Sequence, residues 1–295
     1  MSLYLLSRLM RPGQLRKVLV ERGTEPLHLN LLSAIIALCG TYRAKVDFDL
    51  VVRQQYAFPL LYAADAAKRY GYETVTIIEF GVAGGAGLVN MCRIAERTQK
   101  ATGIQFRIFG FDTGNGMPPA LDYRDLPESF QAGDFPMDAA SLTRALPDFA
   151  KLVIGDVADT IPSFLRSLDG DAPIGFVAVD VDYYSSAKKA LAVLTGPPNL
   201  YLPIVPVYLD DIGVDGSNPW TGELLAVNEF NHDNEFRKIA PFTMLRSHRI
   251  FKNTQWIDRM FAAHIHDHLL RSPAHRREAR NVLPNEYINW TGTTA

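Results

Sequence analysis

One stretch, residues 74–87, constrains the fold of this chain more than any other. It starts with a run rich in β-branched residues, Thr74 to Phe80, which is short enough to be a buried parallel strand. An apolar-periodic helix is predicted to follow, from about Leu88 to Gln99. Between the strand and the helix stand four glycines, Gly81, Gly84, Gly85 and Gly87. This order brings bare backbone close to a helix N-terminus.

The glycine turn lacks the dinucleotide-binding spacing G-x-G-x-x-G, because Ala83 breaks one register and Asn90 the other. It has instead an acidic residue, Glu79, one spacer and then the glycines. That pattern suits a ligand with an adenosyl group and a cationic amino-acid tail. The alternative is a tight strand-to-helix turn that binds nothing.

From residue 74 onward the sequence alternates between strand and helix patterns, which is typical of a parallel sheet with helices on both faces. The predicted strands are Thr74–Phe80, Phe106–Phe111, Lys151–Ile154, Ile174–Val179 and Ile204–Leu209, with two more near Phe242–Arg246 and Trp256–His264. The later helices are predicted near Ala158–Leu168, Ser185–Leu194 and Leu224–Asn231. The long connection from Thr113 to Ala150 holds a short helix near Ala139–Leu146, and its length is typical of a functional lid.

Residues 1–72 look helical and form a predicted N-terminal extension, with helices near Leu27–Tyr42 and Leu50–Tyr70. The predicted α/β domain covers residues 73–268, and residues 269–295 are predicted to be an appendage. The N-terminal helices are candidates for contacts between subunits of a homo-oligomer.

Composition excludes several classes of protein. The chain has 295 residues, 47% of them hydrophobic, and a net charge of -2, which argues against a duplex nucleic-acid binder. The longest mostly apolar run, Leu31 to Cys39, is too short to span a bilayer. The two cysteines, Cys39 and Cys92, sit in apolar helical contexts and suggest a reducing compartment. We therefore expect a cytoplasmic protein.

Acidic residues follow all five parallel strands of the predicted sheet. They are Glu79, Asp112, Asp156, then Asp180 and Asp182, and finally Asp210 and Asp211. Because ligands bind beyond the carboxyl ends of the strands in an open α/β sheet, these carboxylates are expected at one binding edge.

The first three acidic positions suit an adenosyl ligand. Asp112 can accept both hydroxyls of a ribose, although it could instead cap a turn through Asn115 and Gly116. Asp156 or the backbone around it can meet an adenine edge, although it could instead cap the helix that begins near Ala158. Glu79 is expected to hold the glycine turn or the amino-acid end of the ligand.

The last two strand ends bring Asp180, Asp210 and Asp211 together, with Asp182 close by. Unpaired carboxylates at this distance repel and raise one another's pKa. A hard divalent cation with oxygen ligands removes the repulsion, and Mg²⁺ that keeps open positions for substrate oxygens is the natural choice. The alternative is that these side chains pair with arginines or cap helices.

These motifs, in this order, resemble the macrocin O-methyltransferase family, whose members are S-adenosylmethionine-dependent and methylate sugar hydroxyls on natural products. The resemblance covers about residues 74–211 and is more distant to catechol O-methyltransferase. The matching segments are Glu79-Phe-Gly-Val-Ala-Gly-Gly85, Asp112-Thr-Gly-Asn-Gly-Met-Pro118, Gly155-Asp-Val-Ala-Asp-Thr-Ile-Pro162, Val179-Asp-Val-Asp-Tyr-Tyr-Ser-Ser186 and Leu209-Asp-Asp211.

The resemblance implies a Rossmann-like class I methyltransferase fold and an S-adenosylmethionine- and Mg²⁺-dependent O-methyltransferase that acts on a small-molecule hydroxyl. The expected cofactor-binding residues are Glu79, Gly81, Gly85, Asp112, Thr113, Asp156, Val157 and Asp180. The expected metal ligands are Asp180, Asp210 and Asp211.

Two residues are candidates for the general base. His232 follows the Asp210-Asp211 loop, and an imidazole suits proton removal from a hydroxyl, although a histidine at a helix end is an equal alternative. Asp182 is the second candidate. A metal-independent methyltransferase that uses either base, and a non-catalytic S-adenosylmethionine-binding scaffold protein, remain the competing hypotheses.

Overall fold

The computed structural model describes residues 20–213 and 216–272. Its seven strands are β1 (Thr74–Phe80), β2 (Gln105–Asp112), β3 (Ala150–Ile154), β4 (Ile174–Val179), β5 (Ile204–Leu209), β6 (Arg237–Pro241) and β7 (Met260–Ile265). They form one sheet in the order β3-β2-β1-β4-β5-β7-β6. The first five strands pair in parallel, and β7 runs antiparallel to both β5 and β6. The predicted α/β class with a mostly parallel sheet is confirmed.

Nine α-helices have bounds within the described ranges. They are α1 (Leu27–Cys39), α2 (Tyr42–Asp47), α3 (Gln54–Arg69), α4 (Ala86–Thr102), α5 (Ala139–Ala145), α6 (Val157–Ser167), α7 (Tyr184–Leu191), α8 (Gly222–Asp233) and α9 (Leu245–His248). Within the part of the chain that the structure describes, no helix combines the length and the apolar character needed to cross a membrane.

The core lies on both faces of the sheet. All six residues of β4 and six of the seven in β1 are buried, which requires a covering layer on each side. Helix α3 contributes Tyr56, Leu60 and Ala64 to the same hydrophobic core as these strands. Part of the predicted N-terminal extension is therefore packed into the core, while the boundaries at residues 72 and 268 stay predictions.

A buried ion pair ties the segment after α2 to the segment after α9. Arg249 Nη2 donates to Asp49 Oδ1 and to the Val46 carbonyl, both across 2.6 Å, and both charged side chains are buried. Burial raises the pKa of the Asp49 carboxyl, and Arg249 and Arg22 act against that rise. Removing either partner would leave a buried charge without its counterion.

At the antiparallel edge one sequence-based strand assignment is wrong and another starts too early. Residues 242–246 form a turn and the start of α9, whereas the edge strand β6 precedes them. Arg237 makes this strand look polar, yet its guanidinium is buried, donates to the Leu194 and Gly196 carbonyls and pairs with Asp267. The strand predicted from Trp256 begins only at Met260.

The N-terminal helix predictions also need correction. The helix predicted to run to Tyr42 ends at Cys39, because Gly40 and the capping residue Thr41 separate α1 from α2. The helix predicted from Leu50 begins at Gln54, after Arg53 in a left-handed conformation. Predictions for residues 1–19 and for most of the C-terminal appendage lie outside the described residues.

Candidate active site

A cavity of about 500 Å³ opens at the carboxyl ends of the parallel strands. Nine of the twelve predicted site residues line it, namely Gly81, Asp112, Thr113, Asp156, Val157, Asp180, Asp182, Asp210 and Asp211. The other three, Glu79, Gly85 and His232, do not. The sheet therefore brings most of the predicted residues to one place, as parallel strands that end at a common edge should.

The glycine turn is shaped by close backbone contacts. Gly81 has φ +82°, and a Cβ there would lie 1.6 Å from the Asp180 carbonyl oxygen, so only glycine lets β1 and β4 end side by side. Gly85, at φ +81°, is the N-cap residue of α4, and a Cβ there would lie 2.4 Å from Leu142 Cδ1. A Cβ at Gly87 would lie 2.1 Å from Glu79 Oε1, so α4 begins directly over that carboxyl.

Glu79 lies beneath the turn and does not contact the cavity. It is 1% exposed, and its Oε1 accepts the Tyr56 hydroxyl across 2.7 Å. Burial raises its pKa to about 7, against the lowering effect of the Tyr56 hydrogen bond and the Arg53 charge. Two roles were predicted for Glu79. Its position supports the glycine turn from below and leaves it no contact with the cavity, where the amino-acid end of a ligand was expected.

Asp112 caps a turn and also lines the cavity. Its Oδ2 accepts the Ala83 N–H across 2.9 Å and its Oδ1 accepts the Gly114 N–H across 2.7 Å, so the carboxylate joins the glycine turn to the turn after β2. It also lines the cavity, and each carboxylate oxygen keeps a lone pair for a ligand hydroxyl. The expected cap through Asn115 and Gly116 is made instead at Gly114.

Asp156 is the N-cap of α6, as one of the two alternatives predicted. Its Oδ1 accepts the Ala158 N–H across 2.8 Å, and its Oδ2 accepts a hydrogen bond from Lys189 Nζ across 2.7 Å. Lys189 and the Ala158 N–H together lower the pKa of this carboxyl. Val157, the next residue, lines the same wall of the cavity.

Three carboxylates meet where β4 and β5 end. One oxygen each of Asp180, Asp210 and Asp211 lies within 4.8 Å of the others. Burial, followed by the charges of Asp210 and Asp211, raises the pKa of Asp180 to about 9. Burial, followed by the charges of Asp182 and Asp210, raises the pKa of Asp211 to about 8. The cluster thus has the mutual repulsion that a cation would relieve.

Unlike Asp180 and Asp211, Asp210 pairs with a tyrosine hydroxyl and an arginine. Its Oδ1 accepts the Tyr208 hydroxyl across 2.7 Å and a contact from Arg259 Nη1 across 3.3 Å. Pairing with an arginine, the alternative considered for the cluster, is therefore seen at one of the two carboxylate oxygens of Asp210. Its second oxygen stays free for another partner.

Glu223 is a site residue that the sequence analysis missed. It is 2% exposed in the first turn of α8, and its Oε2 accepts the Asp211 N–H across 3.1 Å. Asp211 Oδ2 in turn accepts the Asp182 N–H across 3.0 Å, with Asp182 in a left-handed conformation at φ +59°. Glu223 follows a polar loop and lies in the first turn of a helix, and nothing in this local sequence indicates that its side chain is buried.

The acidic cluster fits a magnesium ion in its donor set. The three carboxylates supply hard oxygen ligands, and the raised pKa values of Asp180 and Asp211 mark repulsion between negative charges that are not fully compensated. Oxygen ligands 2.0–2.1 Å from magnesium lie roughly 3–4 Å apart, so small side-chain rotations would suffice. Asp180, Asp210 and Asp211 are the residues that would hold the ion.

The connection over the cavity forms a closed loop, residues 113–138, which we call the lid loop. At its neck the Met117 N–H donates to the Asp134 carbonyl and the Gly133 N–H donates to the Met117 carbonyl, both across 2.8 Å. Met117, Phe130 and Phe135 give it an apolar wall towards the cavity.

One buried carboxylate attaches the lid loop to α7. Asp125 is 1% exposed, its Oδ1 accepts the Ser185 N–H across 2.8 Å, and its Oδ2 accepts the Ser185 hydroxyl across 3.0 Å. The lid loop is thus fixed to α7, and its predicted functional role stays a prediction.

His232 is too far along α8 to act at the acidic cluster. It is exposed in the last turn of this helix, whereas Glu223 in the first turn contacts the cluster. Nine residues of α-helix separate them, roughly 14 Å at 1.5 Å per residue. His232 therefore lies at a helix end, as the alternative describes, and outside the cavity lining, so its role as the base stays a prediction without support from this geometry. Asp182 is the candidate that remains.

No protein-family model matches this sequence, and no curated protein does. Among solved structures, the calicheamicin methyltransferase CalS11 is 22% identical over 74% of this chain and 84% of that chain, with a TM-score of 0.44. The O-methyltransferase TomG from Streptomyces achromogenes, in complex with SAM, is 16% identical over 82% and 91%, with a TM-score of 0.40. The methyltransferase MycE, in complex with Mg, SAH and mycinamycin VI, is 15% identical over 58% and 41%, with a TM-score of 0.34. At these values the likeness carries no functional argument, so the function has to be inferred from the site.

Proposed function

We propose that this protein is an S-adenosylmethionine-dependent O-methyltransferase that uses Mg²⁺ to methylate a hydroxyl of a small molecule. The observation that carries the proposal is that the three clustered carboxylates open onto the same cavity as Asp112 and the glycine turn. One cavity thus joins an edge suited to an adenosyl group to an edge suited to a divalent cation.

The two ends of the cavity would do different work. Gly81, Ala83 and Asp112 would hold the adenosyl part of the cofactor, and S-adenosylmethionine supplies a methyl group on a sulfonium sulfur. Magnesium, when bound, supplies a positive charge that lowers the pKa of a nearby hydroxyl. Holding donor and acceptor in one cavity gives the alignment that an in-line displacement needs.

Asp182 would take the proton from the acceptor hydroxyl. It lines the cavity beside the acidic cluster, and burial, together with the Asp210 charge, raises its pKa to about 6. A carboxylate with a pKa just below neutral is ionised at pH 7 and basic enough to assist proton removal. The apolar wall of Met117, Phe130 and Phe135 would exclude water from the transferring methyl group.

The test is calorimetric titration with S-adenosylhomocysteine and, separately, with MgCl₂. We expect S-adenosylhomocysteine to bind in both Mg²⁺ and EDTA. D210N should weaken Mg²⁺ binding at least about tenfold, as loss of a ligand does, and change S-adenosylhomocysteine affinity less than about twofold. D156N is the matched control, since it alters a cavity carboxylate outside the cluster and should leave Mg²⁺ binding intact. If S-adenosylhomocysteine binds neither in Mg²⁺ nor in EDTA, the proposal is refuted.

A metal-independent methyltransferase is the second candidate. The contacts of Tyr208 and Arg259 with Asp210 favour it, because they offset part of the negative charge without a cation. Methyl transfer that persists unchanged in EDTA, together with loss of activity in D182N, would identify this mechanism.

A further inference from the structure

Helix α1 is the most unusual exposed surface in the described part of the chain. Its sequence, LHLNLLSAIIALC, has no charged residue, and Ser33 is its only buried one. Leu27 and Leu38 are 75% and 88% exposed, and the other large exposed apolar side chains are Leu31, Leu32 and Ile35. Soluble monomers rarely leave so many large apolar side chains together in water.

The exposed side chains of α1 follow a helix-packing pattern. Leu27, Leu31, Ala34 and Leu38 are spaced four, three and four residues apart, so they lie along one seam of the helix. Leu32 and Ile35 flank the seam. This spacing is that of the a and d positions by which two helices pack side by side, and the small Ala34 near the middle permits a close approach.

Both ends of α1 are fixed to the rest of the protein. Before the helix, Glu25 Oε1 accepts the N–H groups of Lys252 and Asn253 across 2.6 and 2.7 Å. After it, the Tyr42 hydroxyl lies 3.1 Å from the Thr98 hydroxyl of α4. The helix is therefore held in place with its apolar seam facing outward.

We propose that α1 is a subunit contact and packs against α1 of a second copy of this chain across a two-fold axis. A two-fold axis places identical patches together, so an apolar seam meets an apolar seam. Because α1 carries no charge, two copies do not repel each other. The same lack of charge gives α1 nothing to attract anionic lipids, for which interfacial helices use Lys and Arg.

The first experiment measures the mass of the full-length protein by sedimentation equilibrium. We expect a dimer at about 10 μM, and L31E/L38E should raise the dissociation constant at least about hundredfold, because it places two charges within the apolar contact. L269E is the matched control: Leu269 is 72% exposed but lies outside α1, so this variant should stay dimeric. Unchanged circular dichroism would show that the variants fold.

A cross-linking experiment tests the same contact without charged substitutions. Ala34 is exposed on the seam next to the middle of α1, so it meets its own counterpart in a parallel or an antiparallel helix pair. The variant A34C/C39S should form a disulfide-linked dimer with a mild oxidant. Cys39, exposed at the end of α1, should cross-link in the wild type only if the two helices are parallel.

Three outcomes would overturn the proposal. A wild-type monomer at about 100 μM would mean that another partner, or residues 1–19 of the same chain, covers the seam. A dimer that persists in L31E/L38E would locate the contact elsewhere. A wild-type monomer that sediments with phosphatidylcholine vesicles, while L31E/L38E does not, would identify the seam as a lipid-binding surface.

Discussion

The backbone N–H of Asp211 donates to Oε2 of Glu223 across 3.1 Å, which joins the end of β5 to the first turn of α8. We infer that this bond fixes the direction of the Asp211 carboxylate. E223L, which has a side chain of similar size but no acceptor, should weaken Mg²⁺ binding by about 10–100-fold, as loss of an outer partner of a ligand does. E223Q keeps an acceptor oxygen and should bind within a few-fold of wild type. Calorimetry with MgCl₂ checks both, and equal affinity in E223L and wild type would remove Glu223 from the site.

The metal-free protein should become less stable as the pH rises from 6 to 9. The pKa values of Asp180 and Asp211 lie near 9 and 8 in the folded protein and near 3.8 when unperturbed. Between those limits the folded state binds more protons than the unfolded state. The stability that these two carboxyl groups contribute is therefore complete below about pH 4 and is lost as the pH passes 8 to 9.

Magnesium should reverse that trend, because it binds the ionised carboxylates. MgCl₂ at a hundredfold excess over Kd should raise the Tm by about 5 °C, and by less at pH 6 than at pH 8. Thermal unfolding at several pH values, with MgCl₂ or EDTA, makes the measurement. D180N/D211N serves as control and should flatten both pH dependences; a metal-free Tm that rises across this range would contradict the assigned protonation.

G81A and G84A form a matched pair in the glycine turn. Alanine at 81 would need a left-handed backbone and would place Cβ against the Asp180 carbonyl, whereas at 84 nothing lies within 4 Å of the added Cβ. The strained backbone alone should cost G81A about 1–3 kcal/mol of unfolding free energy, and the shift of β1 against β4 should abolish S-adenosylhomocysteine binding. G84A should be close to wild type in both. Denaturant unfolding and calorimetry report the two quantities, and equal behaviour of the variants would argue against this turn geometry.

R249M should destabilise the protein by about 3–5 kcal/mol, because it leaves the buried Asp49 carboxylate without its partner. R43A is the comparison, since Arg43 and Asp65 pair on the surface and their loss should cost at most about 1 kcal/mol. R249M/D49N removes both buried charges, keeps a residue that tolerates the left-handed backbone at position 49 (φ +51°), and should recover much of the lost stability. Urea unfolding measures all three; equal losses in R249M and R43A would show that burial adds nothing to the pair.

The parallel half of the fold and much of the site follow from local patterns in the sequence. Apolar strand patterns ending in Asp112, Asp180 and Asp210 predicted the shared edge, because the carboxyl ends of parallel strands must meet there. The glycine turn was recognisable for a similar reason, since strand, glycines and helix are contiguous in the chain.

Features that depend on distant contacts were not predictable. The burial of Glu223 follows from the docking of α8 under Asp211, and the polar look of β6 hides that Arg237 is buried by contacts with residues 194 and 196. The motif around Glu79 predicts a ligand-binding residue, whereas the Tyr56 hydroxyl, 23 positions earlier, donates a hydrogen bond to its carboxyl beneath the turn. In each case the deciding partner is remote in sequence.

The neck and anchor of the lid loop fix a stretch that lies outside the sheet, where the Phe130 carbonyl also accepts the Tyr183 hydroxyl. The bonds between Met117 and residues 133 and 134, and those of Asp125 with Ser185, close the loop on itself and onto α7, so the stretch between them carries no strand or core helix. Sequence changes within that stretch can therefore reshape the cavity wall that Phe130 helps to form while β1–β5 and the acidic cluster stay as they are. Under the proposed function, replacing some twenty residues of this loop should adapt the same scaffold to a different acceptor.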